Sequence, residues 1–215
     1  MKKYLYAFLL FIFISFTFNT LKVNGEEPLN NKIIVIDAGH GDKDPGTSYK
    51  DIYEKDINLN ISKYLSSSLK KYGANVIMTR TGDYDLSSPN AYFRKKSDFD
   101  NRISLINESN ANIYISIHLN YLNNSKYYGP QVFYDQDNET LAKSIQKSLN
   151  DALKTDREAK RIPSDTYMYS KLKIPGILIE CGFLSNEYER NLLVTKKYQK
   201  KIASIIADAI KTQNI

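Results

Sequence analysis

KIIVIDAGHGDKDPG, residues 32–46, passes from an unbroken apolar run into a glycine-flanked loop that carries a histidine, His40. Four consecutive β-branched residues without polar alternation describe a strand buried on both faces, as in a parallel sheet covered by helices. Further apolar runs at 74–79, 113–118, 131–134 and 176–180 read as companion strands. Between them lie segments of helical period. Residues 54–72 carry Ile57, Ile61, Tyr64, Leu65 and Leu69 on one stripe and stop at Gly73, a C-terminal cap signal. Residues 97–109, 138–153 and 195–212 repeat the pattern. Strands alternating with amphipathic helices predict one α/β domain, with a mostly parallel twisted sheet and helices on both faces. Residues 82–96 read as a polar, mobile excursion and 155–163 as a charged loop.

The 215 residues, 42% apolar and 25% charged, suit a soluble globular domain. Residues 1–25 place Lys2 and Lys3 before an apolar stretch from Tyr4 to Phe18, the layout of an export signal or a short membrane anchor. At 15 residues the stretch falls short of the roughly 20 that a spanning helix needs. Residues 26–215 then form the expected catalytic domain. Removing residues 1–25 takes away three lysines and no acid, lowering the net charge from +6 to +3. That mild positive balance suits an anionic wall polymer or a membrane surface, and no basic stripe interleaved with aromatics suggests nucleic acid. A single cysteine, Cys181, excludes an internal disulfide.

The chain has only two histidines, and both follow apolar runs: His40 after the first and His118 in NIYISIHLN. In open α/β sheets such positions gather at the carboxyl edge, where ligands bind. Glu54 opens the first helix at that edge, and Glu180 closes the run PGILIE. Zinc accepts imidazole nitrogen and carboxylate oxygen, and catalytic zinc keeps three protein ligands with a fourth position open. His40, Glu54 and His118 supply such a set. Glu180 is then placed to accept a proton from attacking water and deliver it to a leaving amine. Asp37 is expected to orient His40 or to tie its loop. A thiol mechanism through Cys181 lacks the helix N-terminus and oriented histidine that activate such a nucleophile. GHGDKDPG lacks the Gly-Lys-Ser/Thr ending of a phosphate loop.

Four motifs, IVIDAGHGDKDPG, YEKDINLNIS, YISIHLN and PGILIECGFLSN, occur in the order found in zinc-dependent N-acetylmuramoyl-L-alanine amidases, which the chain resembles from about residue 32 onward. The tract 87–102, the phrase NRISLINESNANIYISIHLN and the basic REAKRI are most similar to the spore-cortex, germination-related members. The resemblance implies one Zn2+ held by His40, Glu54 and His118, with Glu180 as catalytic acid/base. It also implies hydrolysis of the amide between N-acetylmuramic acid and L-alanine of the stem peptide. Asn120 is expected either to contact substrate or to brace its loop. Arg157 and Arg161, with Lys160, are either a clamp for stem-peptide carboxylates or a solvated loop. Two rivals remain at this point: a zinc peptidase cutting within the stem, for which Arg102, Arg157 and Arg161 are the candidate cations, and a non-catalytic wall-binding protein. Peptidoglycan is the expected partner. Membrane association through the N-terminal segment and an accessory protein are open alternatives. The expected location is outside the cytoplasm, in the cell wall or the forespore intermembrane space.

Overall fold

A computed structural model describes residues 27–135, 138–213 and 215; the export segment expected at 1–25 lies outside them. The strands are β1 (Ile33–Ala38), β2 (Ser48–Tyr49), β3 (Ile52–Tyr53), β4 (Asn75–Met78), β5 (Ile113–Asn120), β6 (Gln131–Tyr134), β7 (Lys160–Arg161) and β8 (Gly176–Phe183). The helices are α1 (Glu54–Lys71), α2 (Arg94–Glu108), α3 (Glu139–Leu153), α4 (Glu187–Leu193) and α5 (Lys196–Ile210). Six strands form one sheet in the order β4-β1-β5-β8-β6-β7, and β2 and β3 pair as a separate hairpin. β4, β1, β5 and β8 run parallel, whereas β6 is antiparallel to β8 and carries β7 alongside it.

The reason for the unbroken apolar run of β1 is visible in its neighbours. Ile34 and Ile36 pack into a core shared with α1, α3 and α5, while Val35 points the other way, into a smaller core with Ile106, Tyr114 and Tyr169. Both faces are therefore covered, three helices on one side and α2 with the segment around Tyr169 on the other. Alternation then places Asp37, Ser116, His118 and Glu180 on the α2 side. Among the described residues no helix is long and apolar enough to cross a membrane.

Several boundaries move. β8 runs three residues past Glu180, because its pairing with β5 continues across an irregularity to Asn120 and Phe183. α2 begins at Arg94, three residues before the expected start, since its first turn is polar and carries no apolar period. Residues 82–96, expected to be mobile, are tied to α2: Leu86 N donates to Asp98 Oδ1 at 2.7 Å, Ser88 N to Ser97 Oγ at 3.0 Å, and Arg94 pairs with Asp85. The charged loop at 155–163 contains the short strand β7. α4, too short to display a period, has no counterpart among the expected helices. Gly73 does follow α1, at φ 90°, and a side chain there would meet Glu27.

Candidate metal centre

The chain leaves β1 through Gly39, whose N–H donates to the Ile117 carbonyl of β5. His40 follows at φ 63° and Asp42 at φ 48°, a left-handed backbone that costs non-glycine residues about 1–2 kcal/mol each. Two buried arginines support this turn. Arg102 donates to the carbonyls of Ala38 and His40, and Arg80 to those of Ala38 and Gly39, all at 2.8–2.9 Å. Gly39 is required here for a different reason: a Cβ would stand 2.3 Å from the His118 ring.

The side chains converge on Glu54, the first residue of α1. His40 Nε2 lies 3.2 Å and His118 Nδ1 3.0 Å from Glu54 Oε1, which also accepts from Leu119 N and Asn58 Nδ2. Thr47 N donates to Oε2 at 2.8 Å. Burial works to raise the Glu54 carboxyl, but the hydrogen bonds and charge of His118 and His40 outweigh it and hold the group well below the usual range. Burial likewise works against the His40 cation, yet hydrogen bonds to Asp44 and Glu54 lift it to about 9.

His40, Glu54 and His118 each offer a ligand atom, and the three atoms lie within 4.8 Å of one another. Bonds of about 2.1 Å put the ligands of a tetrahedral zinc about 3.4 Å apart, close to the His40–Glu54 and His118–Glu54 separations. Two nitrogens and one carboxylate oxygen, beside a cavity that both histidines line, are a donor set that fits zinc.

Asp37 does not touch His40. Its carboxylate accepts from Thr79 Oγ1, Ser116 Oγ and Arg102 Nη1, the last at 2.6 Å, so it ties the loop through Arg102. The carboxylate that orients His40 is Asp44, whose Oδ2 lies 3.0 Å from Nδ1. A carboxylate four residues on in the same turn is a signal the sequence did contain; for Arg80 there was no local one.

Glu180 lies inside β8, not past its end, directly opposite His118 in the parallel register. Burial pushes its carboxyl up to about 7, opposed by His118 and His40 and reinforced by Glu54. Its Oε2 is buried without a hydrogen-bond partner among the described residues. Such a carboxyl exchanges a proton near neutrality. Beside the histidines lies a cavity of about 160 Å3, lined in part by Phe99, Tyr167 and Met168.

The remaining expected residues are elsewhere engaged. Asn120 Oδ1 accepts from Tyr121 N, and its carbonyl from Leu184 N, which braces the turn after β5. Arg157 donates to Gln131 Oε1 at 2.6 Å and lies over the rings of Phe183 and Tyr127, at 5.4 and 5.9 Å. Arg161 is exposed in β7, in register with Tyr134, which pairs with Ile177 rather than Glu180. Arg102 is 1% exposed, and its guanidinium nitrogens all donate to Asp98, Asp37, Ala38 or His40. Cys181 is buried in the large core, and burial raises its thiol well above the usual range, so it is not an activated nucleophile.

Both the sequence and the fold match known proteins. Over 97% of its length the chain is 42% identical to the germination-specific N-acetylmuramoyl-L-alanine amidase of Bacillus subtilis, spanning 93% of that protein. The structure matches the CwlD amidase of Clostridioides difficile, solved in complex with the GerS lipoprotein, with a TM-score of 0.80 and 42% identity, over 85% of this chain and 98% of that one. It matches an N-acetylmuramoyl-L-alanine amidase of Clostridium difficile 630 with a TM-score of 0.75 and 30% identity, over 85% and 96% of the two chains. The profile of the N-acetylmuramoyl-L-alanine amidase family covers residues 34–212, and the chain belongs to that family.

Proposed function

We propose that this amidase is zinc-dependent, with His40, Glu54 and His118 as metal ligands and Glu180 as the proton carrier, and that it acts on spore-cortex peptidoglycan outside the cytoplasm. The observation that carries the reading is the convergence of the three ligand atoms on one point, with the unpartnered Glu180 carboxyl across the β5–β8 pair. When bound there, zinc supplies Lewis acidity to the scissile carbonyl and the attacking water. Glu180 takes a proton from that water and returns it to the alanine nitrogen as the amide C–N bond breaks, leaving lactyl carboxylate and a stem with a free amino terminus. Asp44 holds the His40 ring so that Nε2 faces the metal position.

The cortex assignment rests on the 42% identity to the germination-specific relative. An accessory lipoprotein of the kind solved with the Clostridioides difficile relative is the partner this reading favours. Cleavage within the stem is disfavoured, because Arg102 and Arg157 are committed to the fold and Arg161 lies toward the far end of β8. Metal analysis and mass spectrometry of digested peptidoglycan test the reading together. His40→Ala, Glu54→Ala and His118→Ala are expected to lose zinc and turnover; Glu180→Gln is expected to keep zinc and lose about 100- to 10,000-fold in turnover. Products lacking a free N-terminal L-alanine, or full zinc retention in Glu54→Ala, would overturn it.

A further inference from the structure

Tyr92 and Phe93 are the puzzle of the surface. They are 91% and 68% exposed and touch edge to face, with ring centroids 4.7 Å apart. They do not belong to a loose loop. Ala91 N donates to Ser88 O, and the preceding residues are held to α2 through Asp98, Ser97 and Asn101, so the pair stands on a supported turn. Large rings presented to water by a pinned backbone contribute nothing to the core and mark a surface that meets something else.

That surface is continuous with the catalytic cleft. Lys95, 60% exposed in its side chain, reaches Asp44 at 3.6 Å, and Asp44 holds His40. Lys95 also lies over the Phe99 ring and Lys96 over that of Tyr167, and these two rings line the cavity beside His40 and His118. Lys171 lies 3.7 Å from the Tyr167 ring centroid. From the metal position outward the molecule therefore presents aromatic faces, then lysines, then the bare Tyr92–Phe93 pair. The acids along this path are already engaged: Asp85 with Arg94, Asp98 with Arg102, Asp100 with Lys96 and Asp44 with His40.

We propose that Tyr92 and Phe93 form a docking platform for the glycan strand of peptidoglycan, beyond the sugar whose lactyl amide is cut. This rests on the amidase reading and adds to it a preference for polymeric substrate. The apolar C–H faces of pyranose rings stack on aromatic rings, and Lys95 and Lys171, unlike the Asp100-bound Lys96, are placed to meet the carboxylates of adjoining stem peptides. A bilayer bound at this rim would cover the mouth of the cleft and shut out the polymer.

The test compares the chain with the Tyr92→Ala/Phe93→Ala double variant and with Tyr92→Phe/Phe93→Tyr, which keeps both rings. In a Glu180→Gln background, co-sedimentation with purified peptidoglycan should weaken about tenfold in the alanine pair and by less than about twofold in the ring-keeping pair. In the active enzyme, kcat/KM on intact peptidoglycan should fall about tenfold in the alanine pair, while cleavage of a short muramoyl-peptide that ends before the platform is kept, with zinc content and melting temperature unchanged. Unaltered binding and hydrolysis of the polymer would overturn the proposal. So would equal losses on polymer and fragment, or a loss confined to phosphatidylglycerol vesicles or to a lipoprotein partner. Failure of the unmodified chain to cut the fragment at all would instead defeat the amidase mechanism beneath it.

Discussion

The turn that carries His40 and the segment that carries Arg157 both lie beside the carboxyl half of the sheet, and each depends on guanidinium groups. In the first, the cations serve the backbone: Arg80 and Arg102 are buried, and their N–H groups hold the carbonyls of residues 38–40 in place. In the second, the surroundings serve the cation: Arg157 is half-buried, bonded to Gln131 and lying over two rings. A side chain that must meet two others within a few ångströms needs a rigid backbone, and buried charge-assisted bonds provide one. Arg157 ties its segment to Gln131 of β6.

The hardest way to break this contrast is Arg102→Ala, which strands Asp37 and Asp98 without their partner. Losing one member of a buried ion pair costs about 3–5 kcal/mol, and urea unfolding of the metal-free protein should read that loss, with zinc affinity falling as well. An Arg102→Ala protein as stable as the parent would show that the clamp is not what holds the turn. The same pair sets an acid limit. Burial works to raise Asp37, but Arg102, His118 and Ser116 outweigh it and hold it below its ordinary 3.8. A depressed carboxyl stabilises the fold fully above its unfolded pKa and loses that contribution as pH falls through the folded one. The melting temperature of the parent should therefore fall from about pH 4 downward, and Asp37→Asn should start lower and fall less steeply.

Asp44→Asn sharpens the comparison inside the first region. It should leave the fold intact and lower zinc affinity about 10- to 100-fold, read by competition with a chelator; an unchanged affinity would detach Asp44 from the metal centre. Arg157→Ala should cost about 1–2 kcal/mol of stability, from one hydrogen bond and two cation–ring contacts. It should not discriminate between fragments with free and with amidated stem carboxylates. A selective loss on free carboxylates would restore the clamp. Arg161→Ala, on an exposed edge, should stay within about 0.5 kcal/mol of the parent.

The residues that were legible in advance share a physical character. Ile33 to Ile36 have to be buried on both faces, so one run announces the covered parallel sheet. His40, Glu54, His118 and Glu180 follow apolar runs or open a helix, so topology alone delivers them to one region. Arg157 and Arg161 look alike in sequence, because charge density says nothing about which charges are already paired. Asp37 reads equally as orienting His40 or as tying its loop, and the second holds, since alternation along β1 turns it inward to Arg102, a partner 65 residues away.

Local chemistry thus determined the α/β class, the strand and helix order, and the identities of the converging imidazoles and carboxylates, because burial periodicity and donor type are properties of short segments. Only the tertiary structure decided that Asp44 rather than Asp37 orients His40, that two buried arginines hold the turn, and that Glu180 faces His118 from within a strand. It also decided that Tyr92 and Phe93 stand bare on a supported turn before α2. Each of these depends on register and on contacts between distant segments, and a hydrogen bond between residues far apart leaves no trace in the spacing of either.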